Sequence, residues 1–347
     1  MSTQRNPLYL ESGFLNARYI ERQADAAGAA FIVIIGARQV GKTYGVLQLM
    51  LQEQKLFILM RRTQAESDFI AHGQLNPFGP IDHNVQVRRA SKYHSDILRP
   101  HCAACCDGEM DKIGIVLALS TVSKIRGFSG AEYTDLVFDE FIPEQHVMKI
   151  RGEGDAFLNA VVTISGNREL QDRPPLRCWL LANSNNLSSP ILEALNLQRK
   201  IEIMQAAGQE LSVMPKRGVV MVLPRSEAVL QRRRKTSIMK AIDGESDFSK
   251  MAFGNEFAYN DASGVGKINL PEWIYVDTVI GMFDLYQHKS EQRLCVTEPM
   301  HGSGSFTING QKKFERQLPY VRPAFFGGRI SFSSLSVKEQ FRRYMKI

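Results

Sequence analysis

The sequence is poor in cysteine and has no long apolar run. Five cysteines among 347 residues, unevenly spaced, make no disulfide framework and fit a reducing compartment. The longest apolar run, residues 29–35 (AAFIVII), is strand length and well short of the ~20 residues of a membrane span. The opening MSTQRNPLYLES lacks the charged start and greasy centre of a secretory signal, so a soluble protein made inside the cell, with no membrane partner, is expected. There is no internal repeat, no low-complexity tract, no Asn-Lys-x-Asp reader of guanine and no recognisable nucleophilic triad.

What is present is an ordinary globular balance, 44% hydrophobic and 23% charged. The net charge of +7 is lopsided: residues 1–199 are balanced, and the whole excess falls in 200–347. A polyanionic partner is therefore expected to touch the C-terminal half most. Apolar runs at Phe31–Ile35, Leu56–Met60, Ile115–Leu119, Leu136–Phe138 and Cys178–Ala182 read as buried strands. Helical stretches at Lys42–Glu53, Thr63–Ala71 and Asp155–Ile164 separate several of them, and 85–106 reads as a hairpin beside the sheet. This is an α/β pattern with a mainly parallel sheet. Two short apolar runs, Ile201–Met204 and Val219–Leu223, finish that unit, and Ser226–Ile242 reads as a basic helix. From Trp273 the chain turns strand-like (IYVDTVIGMFDLY, RLCVT, SFTI), with a helical tail from Ser336. The expected division is 1–225, a basic linker 226–265 and a small α+β domain 266–347.

Residues 36–43, Gly36-Ala37-Arg38-Gln39-Val40-Gly41-Lys42-Thr43, fit G-x-x-x-x-G-K-[ST] between a buried strand and a helix. The glycines let backbone N–H groups wrap phosphate oxygens, and the helix start adds anion affinity. Lys42 is expected on the β- and γ-phosphates and Thr43 on Mg²⁺. Arg38 is either a reader of the γ-phosphate or a solvated loop arginine.

About 92 residues downstream, Asp135-Leu-Val-Phe-Asp139-Glu140 is an apolar strand ending in two carboxylates. Asp139 is expected to hold Mg²⁺ and Glu140 to orient and deprotonate the attacking water, an arrangement for ATP hydrolysis. The next apolar strand, Trp179–Ala182, ends in Asn183-Ser184-Asn185-Asn186. Asn183 is a candidate contact to the nucleotide, the alternative being a plain Asn-rich turn. Lys124, before the acidic strand, is a candidate coupler of hydrolysis to movement.

In register, GARQVGKT, FILMRR, TDLVFDEFIPE, GNRE, LRCWLLANSNN, RRRKT and IDGE resemble the DNA-encapsidation ATPases of small short-tailed phages, relatives of the large terminase subunit. The likeness covers residues 5–245, and the remainder agrees in length and strand pattern. It implies a P-loop ATPase of the additional-strand, catalytic-glutamate class, joined to an RNase H/nuclease-like C-terminal domain. It implies ATP and Mg²⁺ as cofactors, and a ring, a pentamer by family, acting on double-stranded DNA at a capsid portal. The implied location is the host cytoplasm and, transiently, the prohead. Arg61 and Arg62 match paired arginines near the nucleotide. The family's inter-subunit arginine lies just before Asn-Arg-Glu; here that position is glycine, leaving Arg168 as first candidate and Arg173 as second.

A nuclease centre needs several clustered acids around metal. Asp277, Asp284 and Glu298 are candidates, but sparse, so a metal-free domain gripping DNA through Lys312, Lys313, Arg316, Arg322, Arg329, Arg342 and Arg343 is expected. Residues 101–106 (HCAACC) crowd four ligands too closely for one tetrahedral zinc. Three readings follow: a packaging motor without nuclease activity, a terminase that also cuts, or an ATP-dependent DNA clamp.

Overall fold

A computed structural model describes residues 6–73, 75–101, 109–124, 130–143, 150–184, 189–237, 263–279, 282–301, 307–308 and 310–347. Cys102, Cys105, Cys106, Asn185, Asn186 and the IDGE motif lie outside them, as does most of the expected linker. Contacts divide the chain into two units, one of residues 1–196 and 203–259, the other of 197–202 and 260–347.

The first unit is built on a nine-stranded sheet. Its strands are β1 (Phe31–Gly36), β2 (Phe57–Arg61), β3 (Gln86–Arg89), β4 (His94–Pro100), β5 (Met110–Ala118), β6 (Asp135–Asp139), β7 (Arg177–Asn183), β8 (Leu211–Met214) and β9 (Val219–Val222). Their order is β3-β4-β5-β2-β6-β7-β1-β9-β8. The six from β5 to β9 run parallel, while the β3–β4 hairpin and β8 add antiparallel edges. The apolar runs form the central strands because both faces are covered: β1, β2, β6 and β7 bury nearly every residue. Among the described residues its α-helices are α1 (Ala17–Ala26), α2 (Lys42–Gln52), α3 (Gln64–Ala71), α4 (Glu153–Ser165), α5 (Pro190–Ala194) and α7 (Glu227–Arg234), while α6 (Gln198–Ala206) begins among residues of the second unit.

Local signals start two of these helices, the expected α3 and the unexpected α1. Thr63 and Glu66 form a reciprocal capping box at α3, and Asn16 caps α1. The Ile201–Met204 run proves to be part of α6, where the two named residues bury one turn apart. In the core, Ile32, Ile34, Leu47, Met50, Leu59, Val137 and Leu181 pack together with Trp179, whose indole N–H donates to buried Asp135 at 2.9 Å.

One buried ion pair ties the sheet to α4. Arg62 is 2% exposed, and its Nε and Nη2 donate to the two oxygens of Glu153 at 2.6 and 3.1 Å. Glu153→Ala removes the acceptor of a buried guanidinium and is expected to lower the unfolding free energy by about 3–5 kcal/mol in chemical denaturation. A loss below about 1 kcal/mol would contradict this.

The second unit carries a five-stranded sheet of β10 (Trp273–Val279), β11 (Phe283–His288), β12 (Leu294–Thr297), β13 (Thr307–Ile308) and β14 (Ile330–Phe332), in the order β13-β10-β11-β12-β14. The hairpins β10–β11 and β11–β12 are antiparallel, and the outer pairs β10–β13 and β12–β14 are parallel. Val279, Phe283, Leu285, Val296, Phe314, Phe332 and Phe341 make its core, together with helices Gln311–Gln317, Val321–Phe326 and Leu335–Met345. Ser334 caps the last of these by accepting from Val337 N–H at 3.2 Å.

Asp284 on β11 is fully buried and saturated: it accepts from Thr278 Oγ1 (2.5 Å), Met300 N (2.7 Å), His301 N (3.0 Å) and His301 Nδ1 (2.9 Å). Burial alone would raise its pKa, but these donors hold it below the ordinary value. The ionised group therefore adds stability above about pH 4, its unfolded value, and the contribution fades as pH falls below that. Asp284→Asn is expected to cost about 2–3 kcal/mol at neutral pH and to flatten the acid limb of the stability profile. An unchanged acid limb would contradict it.

Candidate nucleotide site

Parallel strands place their carboxyl ends at one edge, and the motifs sit there. Gly36 at the tip of β1 pairs with Asn183 at the tip of β7, and Asp139 at the tip of β6 pairs with Leu181 of β7. β7 thus lies between the strand that feeds the glycine loop and the strand that ends in the two acids. Met60 pairs with Phe138, which sets Arg61 beside Asp139.

The loop 36–43 turns through two left-handed residues, Gln39 (φ +63°) and Gly41 (φ +88°), before α2 begins at Lys42. A side chain at Gly41 would be strained by φ and would meet the Phe14 ring at 3.3 Å, so glycine is required there. Lys42 is 8% exposed, and its ammonium donates to Gly36 O (2.9 Å), Ala37 O (2.7 Å) and Asn183 Oδ1 (3.0 Å). The Thr43 hydroxyl donates to Asp139 Oδ1 at 2.8 Å. The Arg61 guanidinium spans both acids, with Nη1 on Asp139 Oδ2 at 2.7 Å and Nη2 on Glu140 Oε2 at 2.5 Å.

The two acids have different surroundings. Asp139 is 7% exposed, and burial pushes its carboxyl above the ordinary range against the pull of Arg61. Glu140 takes a left-handed φ of +57°, and its side chain stays 57% exposed. That conformation is rare for a branched-free acid and costs on the order of 1 kcal/mol, which marks the residue as a held position.

The cluster therefore unites Gly36, Lys42, Thr43, Asn183, Asp139, Glu140 and Arg61, with Ala37 and Val40 buried in the loop and Arg38 half-buried within it. Residues 28–272 match the family described as podovirus DNA encapsidation protein (Gp16). The chain belongs to that family. Its role is the packaging of viral DNA into capsids. The chain's fold is similar to a structure titled the bacteriophage Phi-29 viral genome packaging motor assembly, with TM-score 0.63, 17% identity, and 96% of this chain and 99% of that one covered. A second, titled the Phi-28 gp11 DNA packaging motor, gives TM-score 0.56 at 14% identity, with 96% and 99% covered. The chain matches no sequence among the curated proteins.

Other expected site residues fall elsewhere. Arg168 does not face outward: it is 4% exposed, and its Nη2 donates to Gly130 O (3.2 Å), Ala131 O (3.3 Å) and Tyr133 O (2.6 Å), bracing its own chain. A side chain so engaged is not presented to a neighbouring subunit; Arg173, five residues on, is exposed. Arg62, the first residue past the end of β2, points to Glu153 and away from the acids. Lys124 is exposed, with its ammonium 5.6 Å from the centre of the Tyr93 ring.

In the second unit, Asp284 pairs directly with Thr278 across the hairpin, so the neighbouring Asp277 projects from the other sheet face. Glu298 accepts from Ser333 Oγ at 2.8 Å. Among the described residues no three His, Cys, Asp or Glu side chains gather as metal ligands. Lys312, Lys313, Arg316, Arg329 and Arg343 are exposed, whereas Arg322 is tied to Met345 O (2.5 Å) and Glu315 (3.2 Å), and Arg342 to Glu339 (3.4 Å). No helix among the described residues is long and apolar enough to cross a membrane.

Proposed function

We propose that the chain is an ATP-driven motor that moves double-stranded DNA, of the additional-strand, catalytic-glutamate class of P-loop ATPases. The observation that carries this reading is the meeting of Lys42, Thr43, Asn183, Asp139 and Glu140 at one strand edge, with β7 inserted between β1 and β6. Loop amides 36–43 would hold the phosphates, and Lys42 would exchange its carbonyl partners for β- and γ-phosphate oxygens. Thr43 Oγ1 and Asp139, hard oxygen donors 2.8 Å apart, suit Mg²⁺. That ion supplies neutralisation of phosphate charge when bound. Glu140 accepts the proton of the attacking water, and Asn183 and Arg38 contact the γ-phosphate side. Arg61 bonds to an oxygen of each acid, so it offsets part of their charge until nucleotide arrives.

The protein works as a homo-oligomeric ring, a pentamer by family, on the prohead portal in the host cytoplasm. Arg173 is the group offered to the neighbouring subunit's nucleotide. The second unit's order β13-β10-β11-β12, with β10 antiparallel to one neighbour and parallel to the other, supports a nuclease-like domain. Acids on opposite faces of its sheet favour a DNA grip over cutting. ATP hydrolysis by the full chain, with and without double-stranded DNA on proheads, tests the motor; absence of DNA-stimulated turnover would refute it. The grip is tested by Lys312→Ala/Lys313→Ala/Arg316→Ala, expected to weaken DNA binding equally for all sequences and to lower the slope of log K against log salt by up to about 3.

A further inference from the structure

Two aromatic side chains stand exposed near the start of α2: Phe14 at 42% and Tyr44 at 47%. Phe14 is held in place on the loop. Leu15 N–H donates to Val40 O at 3.1 Å, and the ring edge lies 3.3 Å from where a Gly41 side chain would begin. The turn carrying it is closed by Gly13 N–H to Leu10 O and Leu10 N–H to Phe14 O, both 2.9 Å. Helix α7 and the residue before it brace the same turn: Ser226 Oγ donates to Gly13 O at 2.5 Å and Arg232 donates to Ser12 O, the guanidinium being held also by Ala228 O within the helix. The Arg232 guanidinium carbon sits 5.9 Å from the centre of the Phe14 ring, and Leu230 packs on Ala37 and Val40 of the loop.

We propose that Phe14 and Arg232 form the seat for the base of the nucleotide, an inference that rests on the phosphate site proposed above. Phosphates lying on the amides of 36–43 send the sugar and base out past the helix start, where an exposed ring already rests against Gly41. A flat ring and a flat guanidinium recognise a base by stacking and cation–π attraction, which every purine offers. The ligand class is thus a nucleoside triphosphate, held at its phosphates by the loop and at its base by the N-terminal turn and α7. Because α7 opens the basic stretch Arg232–Lys235, filling the seat bears directly on that helix.

The experiment is calorimetric titration of the full chain with ATP and with inorganic tripolyphosphate, both with Mg²⁺. Phe14→Ala is expected to weaken ATP about tenfold and to leave tripolyphosphate unchanged, the latter showing that the loop is intact. Phe14→Tyr keeps the ring and is expected to keep ATP affinity, while Arg232→Ala loses several-fold for ATP alone. Equal weakening of both ligands by Phe14→Ala, or no weakening of either, would overturn the base seat while leaving the phosphate site standing. A wild-type chain that binds neither ligand would remove the phosphate site and the seat together.

Discussion

Glu140→Gln is expected to leave ATP bound and to stop its hydrolysis. Glutamine keeps the shape of the side chain and its place at the left-handed backbone position, but cannot take a proton from water. General-base catalysis contributes on the order of 10²–10⁴-fold, so turnover in a steady-state ATPase assay is expected to fall about a thousandfold. ATP affinity, measured by equilibrium titration, is expected to stay within about threefold, because Glu140 lies at the exposed side of the cluster. In a packaging assay the variant traps nucleotide and stalls. A clamp that merely needs ATP to assemble would instead keep its biological activity in this variant, and that outcome would replace the motor reading.

Lys42→Ala has the second large effect, on binding. The ammonium is buried and already bonded to two carbonyls and the Asn183 amide, so it is positioned before the ligand arrives. Charge-assisted bonds to phosphate are each worth about 1.5–3 kcal/mol, and losing two of them lowers ATP affinity by at least about a hundredfold. Lys42→Arg is expected to recover little, since a rigid planar fork does not reproduce a compact three-donor ammonium. Folding is preserved in this account, so thermal unfolding of Lys42→Ala is expected to match the parent chain within a few degrees. A large drop in thermal stability would assign the lysine to the fold instead.

The strand tips were legible because the strands are buried on both faces and show as unbroken apolar runs. Phe31–Ile35, Leu56–Met60 and Cys178–Ala182 all became central strands. Punctuation by glycine and paired acids then placed the loop and Asp139–Glu140 at their carboxyl ends. What stayed hidden depends on partners far along the chain. Arg61 and Arg62 look alike in sequence, yet one meets Asp139 and Glu140 and the other, past the end of β2, meets Glu153. Arg168 reads as an available cation, but the three carbonyls that draw it inward lie more than 30 residues earlier. IYVDTVIGMFDLY reads as one strand-like stretch, and the chain reverses within it to make β10 and β11. Ile201–Met204 was too short to distinguish helix from strand by periodicity. Nothing local signals that Asp284 is a buried, saturated carboxylate, since its donors come from residues 278, 300 and 301.

The most direct test is a structure of the full chain with ADP, Mg²⁺ and a γ-phosphate mimic. The β-phosphate is expected on the amides of residues 36–43, with Lys42 drawn off the carbonyls of Gly36 and Ala37. Thr43 Oγ1 is expected on the metal, with Asp139 beside it and Arg61 released from at least one acid. Nucleotide bound elsewhere, with the Lys42 contacts and the Arg61 bridge unchanged, would contradict this.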